Sequence, residues 1–250
     1  MTELQRPTTR QEEWRYADAS ALEQFTPEAF QQWKEVELAP GETRRHCMVL
    51  SGTGPELHRI RITVGAGGRA ELFVVNCGAD YTRCEVDVHL MQGAHFQFGG
   101  VTIGGGDVTR EFVTRLAHAE PDATSEQTIR AVHWGTATGN FLGRIEVARG
   151  AQKTDAAQDF KGLILERGAS TNAKPELEIF ADDVKCAHGA AIGQLDETAR
   201  FYMAARGIPP EAAKALLVRA FIADAFVALD DADEQERLMD AALQALGDRS

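Results

Sequence analysis

Cys186 and His188 are the two side chains of this sequence best placed to do chemistry together. They stand two positions apart in a strand-like run, PELEIFADDVKCAHGAAIG (175–193), that passes into glycine and alanine. Successive strand side chains point to opposite faces, so the pair shares one face with Cα atoms roughly 6.6 Å apart. A soft thiolate and an imidazole that close can bind one iron or zinc ion. They supply only two of the four ligands that such a metal or an iron–sulfur centre usually takes. The spacing therefore predicts a site that another surface completes. The plainer reading makes Cys186 a small core residue and His188 a satisfied polar one. Lys185 and Lys174 are near enough in sequence to favour a thiolate, Lys185 only modestly because it faces the other side.

The remaining chemistry-bearing residues are weaker. His89 and His95 share parity, but Gly93 ends the strand between them, and His118 and His133 have no ligand spacing. Each reads as a surface or hydrogen-bonded histidine. A competing function is a metal-dependent β-fold enzyme in which His89 or His133 completes the Cys186–His188 pair. A cupin-like site is not expected, because no H-x-H pair occurs. There is no G-x-S-x-G element, and the runs Gly65-Ala66-Gly67-Gly68 and Gly104-Gly105-Gly106-Asp107 lack the G-K-[ST] of a P-loop. They read as turns, so any ATP hydrolysis must come from a partner. Cys47, Cys77, Cys84 and Cys186 form no C-x-x-C pair, which removes zinc ribbons and thioredoxin-like motifs. Cys77 and Cys84 flank a turn where a bridge is conceivable, though buried inert thiols fit the setting better.

Three regions must position these residues. Residues 1–43 read as a short N-terminal helical segment, with Pro27 at the first position of a helix and FQQWKEV (30–36) moderately amphipathic. Trp14 and Tyr16, in QEEWRY, read as packing groups. Residues 44–193 are short alternating segments that end in glycine: RITVGAGG, EVDVHLMQGA, RIEVARGA and LILERGA, with ELEIFADDV as a further copy. This imperfect repeat predicts a parallel β-helix, with an antiparallel sandwich or barrel as the alternative. Residues 194–250 read as helical. Asp196 is a candidate N-cap, Gly207 a C′ residue, Pro209-Pro210 the start of a longer helix, and 234–246 the last one. EAAKALLVRAFIADAFVALD (211–230) is apolar around most of its circumference, which means burial against the β-region or a patch for another protein.

The formal net charge of −12 argues against nucleic acid and anionic membranes as partners. The acids at 230, 231, 233, 234 and 236 read as a solvated helix start. With 44% hydrophobic residues, no run of 18 apolar residues and no apolar core in the N-terminal stretch, a cytoplasmic soluble protein is expected.

The run KPELEIFADDVKCAHGAAIGQLDETARFYMAARGIPPEAAKALLVRAF (174–221) closely resembles the C-terminal signature of the SufD branch of the SufB/SufD family, scaffold proteins of iron–sulfur cluster assembly. GRIEVARGAQKTDAAQ (143–158) and QEEWRY are further matches, and His188-Gly189-Ala190 stands where the SufB branch typically reads HEA. The resemblance implies a right-handed parallel β-helix with a C-terminal helical subdomain, and a non-catalytic scaffold. It implies a SufB-like paralogue as partner and a SufC-like ATPase docked on the C-terminal helices. His188, and after it Cys186, would join a cysteine of the paralogue around a transient iron–sulfur cluster, with none held by the isolated chain. A homodimer through the edge normally given to the paralogue is expected when the chain is alone. SufD chains commonly carry a longer N-terminal region and more coils than 250 residues allow.

Overall fold

The computed structural model describes residues 6–247. The first five and last three residues lie outside it, including part of the N-terminal stretch in which no apolar core was found. Twelve strands are present among the described residues. They are β1 (Lys34–Leu38), β2 (Thr43–Leu50), β3 (Glu56–Val64), β4 (Arg69–Asn76), β5 (Thr82–Leu90), β6 (His95–Gly104), β7 (Thr109–His118), β8 (Thr124–His133), β9 (Thr138–Val147), β10 (Asp155–Ile164), β11 (Ser170–Ile179) and β12 (Lys185–Gln194). Odd strands stack in order as one six-stranded parallel sheet and even strands as a second. The chain alternates between them, so the fold is a parallel β-solenoid of two strands per coil.

The strand repeat in the sequence is therefore a half-coil. Leu177 pairs with Ile145 in the odd sheet, while Leu163, between them in sequence, lies across the core in the even sheet. Bonds between stacked coils span 26 residues at one end and 32 toward the other, as in Arg45–Glu71 and Arg144–Glu176. Alternation turns one side of each strand inward. Ile62, Val88, Phe112, Phe141, Phe98, Ile129 and Phe160 share a single buried core between the sheets. Phe98 meets Phe112 edge-on at 5.4 Å, and Phe141 stacks on Phe160 at 5.5 Å.

One corner carries a column of left-handed residues. Gly67 and Gly93 both have φ of 64°. Their N–H groups donate to the carbonyls of Gln92 and Pro121 in the next coil. Glycine adopts that backbone without a Cβ penalty. In later coils Asp122 and Lys153 hold the same turn at φ of 61° and donate onward to Gln152 and Asp183.

Helices cover both outer faces. Asp196 caps α2 (Glu197–Ala205), accepting from the N–H groups of Thr198 and Ala199, and Gly207 follows with φ of 79°. Pro210 opens α3 (Pro210–Ala223), and α4 (Ala232–Gly247) begins where Asp231 accepts from Glu234 N–H. Val218, Ile222, Phe226, Leu238 and Ala242 pack on Phe73, Val75, Val101 and Ile103 of the even sheet. The apolar helix is thus largely buried within the chain, with Leu216 and Val227 left exposed. No helix among the described residues is long and apolar enough to cross a membrane.

The N-terminal region departs from its helical expectation. Pro27 starts a 3-10 turn (Pro27–Gln31), preceded by the short α1 (Ala19–Gln24), but FQQWKEV does not continue as helix. Lys34–Leu38 is strand β1, paired with β3. Val36 and Leu38 alternate onto the apolar floor offered by β3, and that tertiary burial outweighs a weak helical periodicity. Trp14, Ala17, Leu22, Phe30 and Tyr81 cluster on the outer face of the odd sheet, the packing role expected of Trp14, whereas Tyr16 is half-buried and outside this cluster.

Candidate functional site

Among the described residues β12 is the last strand of the even sheet and pairs with β10 alone. In register, Cys186 lies over Ala156 and His188 over Gln158. Ala156 belongs to the core row, so the two ligand candidates share the inward face at the open end of the solenoid. This is the parity read from the sequence. Cys186 is half-buried and packs on the core, whereas His188 is exposed because no coil follows it.

Gln158 forms the floor below His188. Its Nε2 faces the carbonyls of Gly143 and Glu176 across the core, at 3.4 and 3.3 Å. Its Oε1 has no partner among the described residues. Gln158 was not singled out from the sequence, although it ends the GRIEVARGAQKTDAAQ match.

The lysine effect expected on the thiol is absent. Lys174 lies on the outer face and pairs with Glu12 at 2.5 Å and Glu176 at 3.1 Å. Cys186 is instead pushed above its ordinary value by burial and by the Asp155 carboxylate, with the Ala156 backbone opposing. Without a metal it is a neutral thiol at physiological pH, and a soft cation must displace its proton to bind. Asp155→Asn removes the repelling charge and should speed iodoacetamide labelling of Cys186 severalfold at neutral pH. Peptide-resolved mass spectrometry measures this, and an unchanged rate would show that Asp155 does not act on the thiol.

The other candidates are not brought to this site. His89 points outward from the odd sheet, half-exposed and 3.6 Å from Asp87. His133 closes β8 and is fully buried, so it does not complete the pair. It also corrects the expectation of a surface or hydrogen-bonded residue, because neither ring nitrogen has a partner among the described residues. His95 bonds Thr124 through Nδ1 at 2.7 Å, and buried His118 bonds Ser125 at 2.9 Å. All four cysteines are free, and burial drives Cys84 up to about 12. No group of three or more metal-binding side chains occurs among the described residues. What the geometry offers is two candidate ligands on an edge strand.

That edge is sticky. β11 and β12 both end their sheets, and Ile179, Phe180 and Ile192 are 39%, 63% and 51% exposed beside them. Unpaired strand ends with apolar side chains favour pairing with another chain.

Residues 43–221 match the family described as SUF system FeS cluster assembly, SufBD core domain. The chain is 32% identical over 207 residues to an iron–sulfur cluster assembly SufBD family protein of Synechocystis sp., covering 82% of this chain and 46% of that relative. It is 36% identical over 136 residues to the iron–sulfur cluster assembly protein SufD of Escherichia coli, covering 54% and 31%. Against the SufD of Bacillus subtilis it is 32% identical over 123 residues, covering 49% and 28%. The chain spans about half the length of these relatives or less.

Proposed function

The chain belongs to the SufBD core family of the SUF iron–sulfur cluster assembly system, and we propose on that basis that it is a non-catalytic scaffold subunit of the SufD type. It pairs with a SufB-like paralogue across the open β11/β12 end. A nascent iron–sulfur cluster, as cargo, takes ligands from both chains, His188 and then Cys186 from this one. The observation that carries the reading is the placement of that pair on an edge strand, half of a ligand set beside exposed Ile192.

His188 contributes an imidazole nitrogen on an exposed ring, so it can reach iron without rearrangement of the core. Cys186, more buried, serves as a ligand once the cargo displaces its proton. Gln158 holds the floor of the site with its amide turned toward the core carbonyls. A SufC-like ATPase docks on the C-terminal helices, where α2 leaves Phe201 and Tyr202 exposed at 76% and 56%. Its nucleotide-bound form favours one arrangement of the complex, and that preference couples ATP hydrolysis to the interface. Alone, the chain self-associates through the same edge.

The test is co-purification with the SufB and SufC homologues of the same organism, comparing wild type with Ile192→Glu. A charge placed on the edge should weaken capture of the paralogue severalfold while leaving the ATPase bound through the helices. Undiminished pairing by the variant would remove the β11/β12 end from the interface. Failure of the wild type to bind either homologue would overturn the scaffold reading.

A further inference from the structure

A corner of the solenoid remote from β12 in sequence holds a buried cation with no counter-ion among the described residues. Arg110, at the start of β7, is 4% exposed. Its Nη2 donates to the Gly78 carbonyl, but Nε and Nη1 have no partner among the described residues. Among the described residues no carboxylate acts on its charge, and burial brings it down to about 10, which leaves it cationic at neutral pH. Next to it, His133 is pushed down to about 3 by burial and by that same charge, so it stays neutral and does not compete as a cation. A buried guanidinium with two idle donors is strongly unfavourable unless something pairs with it.

The surroundings leave room for a pairing group. Arg110 lines a cleft of about 610 Å³ together with Cys77, Ala79, Gly105, Val108 and Trp134. Gly104 backs the guanidinium, and a Cβ there would run into Nη1, so the wall stays bare. The thiol of Cys77 is raised by burial, with Arg110 opposing, and as a neutral group it does not repel an anion. Glu166 is the carboxylate among the lining residues; it is exposed, and its Oε2 already accepts from Gly135 N–H.

We propose that this cleft binds a small oxyanion, of the size of phosphate, sulfate or a compact carboxylate, with the Arg110 guanidinium as its principal contact. Binding turns the unpartnered edge of the guanidinium onto the anion. The size of the cleft and the planar fork of arginine suit a tetrahedral or planar oxyanion better than a halide. The inference does not depend on the scaffold reading.

Calorimetric titration of the full chain with inorganic phosphate, sulfate and acetate, at low chloride, tests it. Saturable binding of at least one anion is expected, accompanied by a higher thermal midpoint. Arg110→Gln should weaken that binding about tenfold or more. Ala79→Glu, at an exposed position on the cleft, supplies a carboxylate from the chain itself. It should block the titrated anion and raise the thermal midpoint in anion-free buffer. No saturable binding by the wild type overturns the proposal, as does wild-type affinity in a folded Arg110→Gln protein. If Arg110→Gln fails to fold, unchanged anion binding by Ala79→Glu overturns it instead.

Discussion

His188→Ala leaves the chain folded and able to pair, but cluster loading on the complex falls on the order of tenfold to a hundredfold. The separation of those two outcomes follows from where the residue sits. His188 is exposed on the final strand, so its truncation costs little in stability, within about 0.5 kcal/mol. Ile179, Phe180 and Ile192, which flank the edge, are untouched, so association persists. What disappears is an imidazole nitrogen that no neighbouring side chain replaces, since no other histidine faces this end of the solenoid. Cys186→Ser should cost less than His188→Ala, because the thiol begins half-buried and protonated. Anaerobic reconstitution of the co-purified complex, followed by charge-transfer absorbance and acid-labile sulfide, gives the measurement. Normal loading by His188→Ala would reduce the histidine to a surface residue and move the ligand set elsewhere.

Arg83→Met should destabilise the fold by about 3–5 kcal/mol, the largest effect expected from a single change. Arg83 is 1% exposed on the outer face of the odd sheet. Its Nε donates to Glu85 at 2.6 Å and its Nη1 to Glu111 at 2.9 Å. Its Nη2 donates to the Glu13 carbonyl at 2.8 Å, and the guanidinium lies 3.7 Å from the Trp14 ring centroid. Glu111 also accepts from the Tyr81 hydroxyl at 2.7 Å and from Asn140 Nδ2 at 2.8 Å. Glu85 and Glu111 hold the Arg83 charge in place against burial, and Tyr81 is raised far above its ordinary range by burial first and by Glu111 second. Removing Arg83 leaves buried Glu111 with its Tyr81 and Asn140 bonds but with no cation among the described residues, leaves Glu85 to Arg59, and frees the N-terminal strap that Trp14 anchors. Urea unfolding followed by tryptophan fluorescence reads both consequences. Adding Glu111→Gln to Arg83→Met should recover part of the loss, because the carboxylate left without a cation is then neutral. A loss below about 1 kcal/mol in the single variant would mean that water or Arg59, which also bonds Glu85, replaces the guanidinium.

Much of this organisation is legible in one dimension. Alternating apolar residues closed by Gly-Ala turns announce strands, because burying one face of a strand demands a period of two and a tight corner demands a left-handed residue. Asp196, Gly207 and Pro210 announce helix ends for equally local reasons. The shared face of Cys186 and His188 follows from the same two-residue period. All of these depend on neighbours within a few positions, and such neighbours are visible in a sequence.

The misreadings have a common cause, which is contact between residues far apart in the chain. Lys34–Leu38 becomes a strand because β3, some 26 residues on, offers it an edge and an apolar floor. Lys174 is drawn away from Cys186 by Glu12, 162 residues distant. His133 ends up buried with no hydrogen-bond partner among the described residues because closure of the coil, not the local pattern, decides what lies opposite it. The sequence by itself determined the strand and helix types, the punctuating turns and the parity of Cys186 and His188. Only the tertiary structure decided that β12 is the uncovered last coil, which leaves inward-facing Cys186 half-buried and His188 exposed. Stacking order, unlike side-chain parity, is set by which coil has no successor.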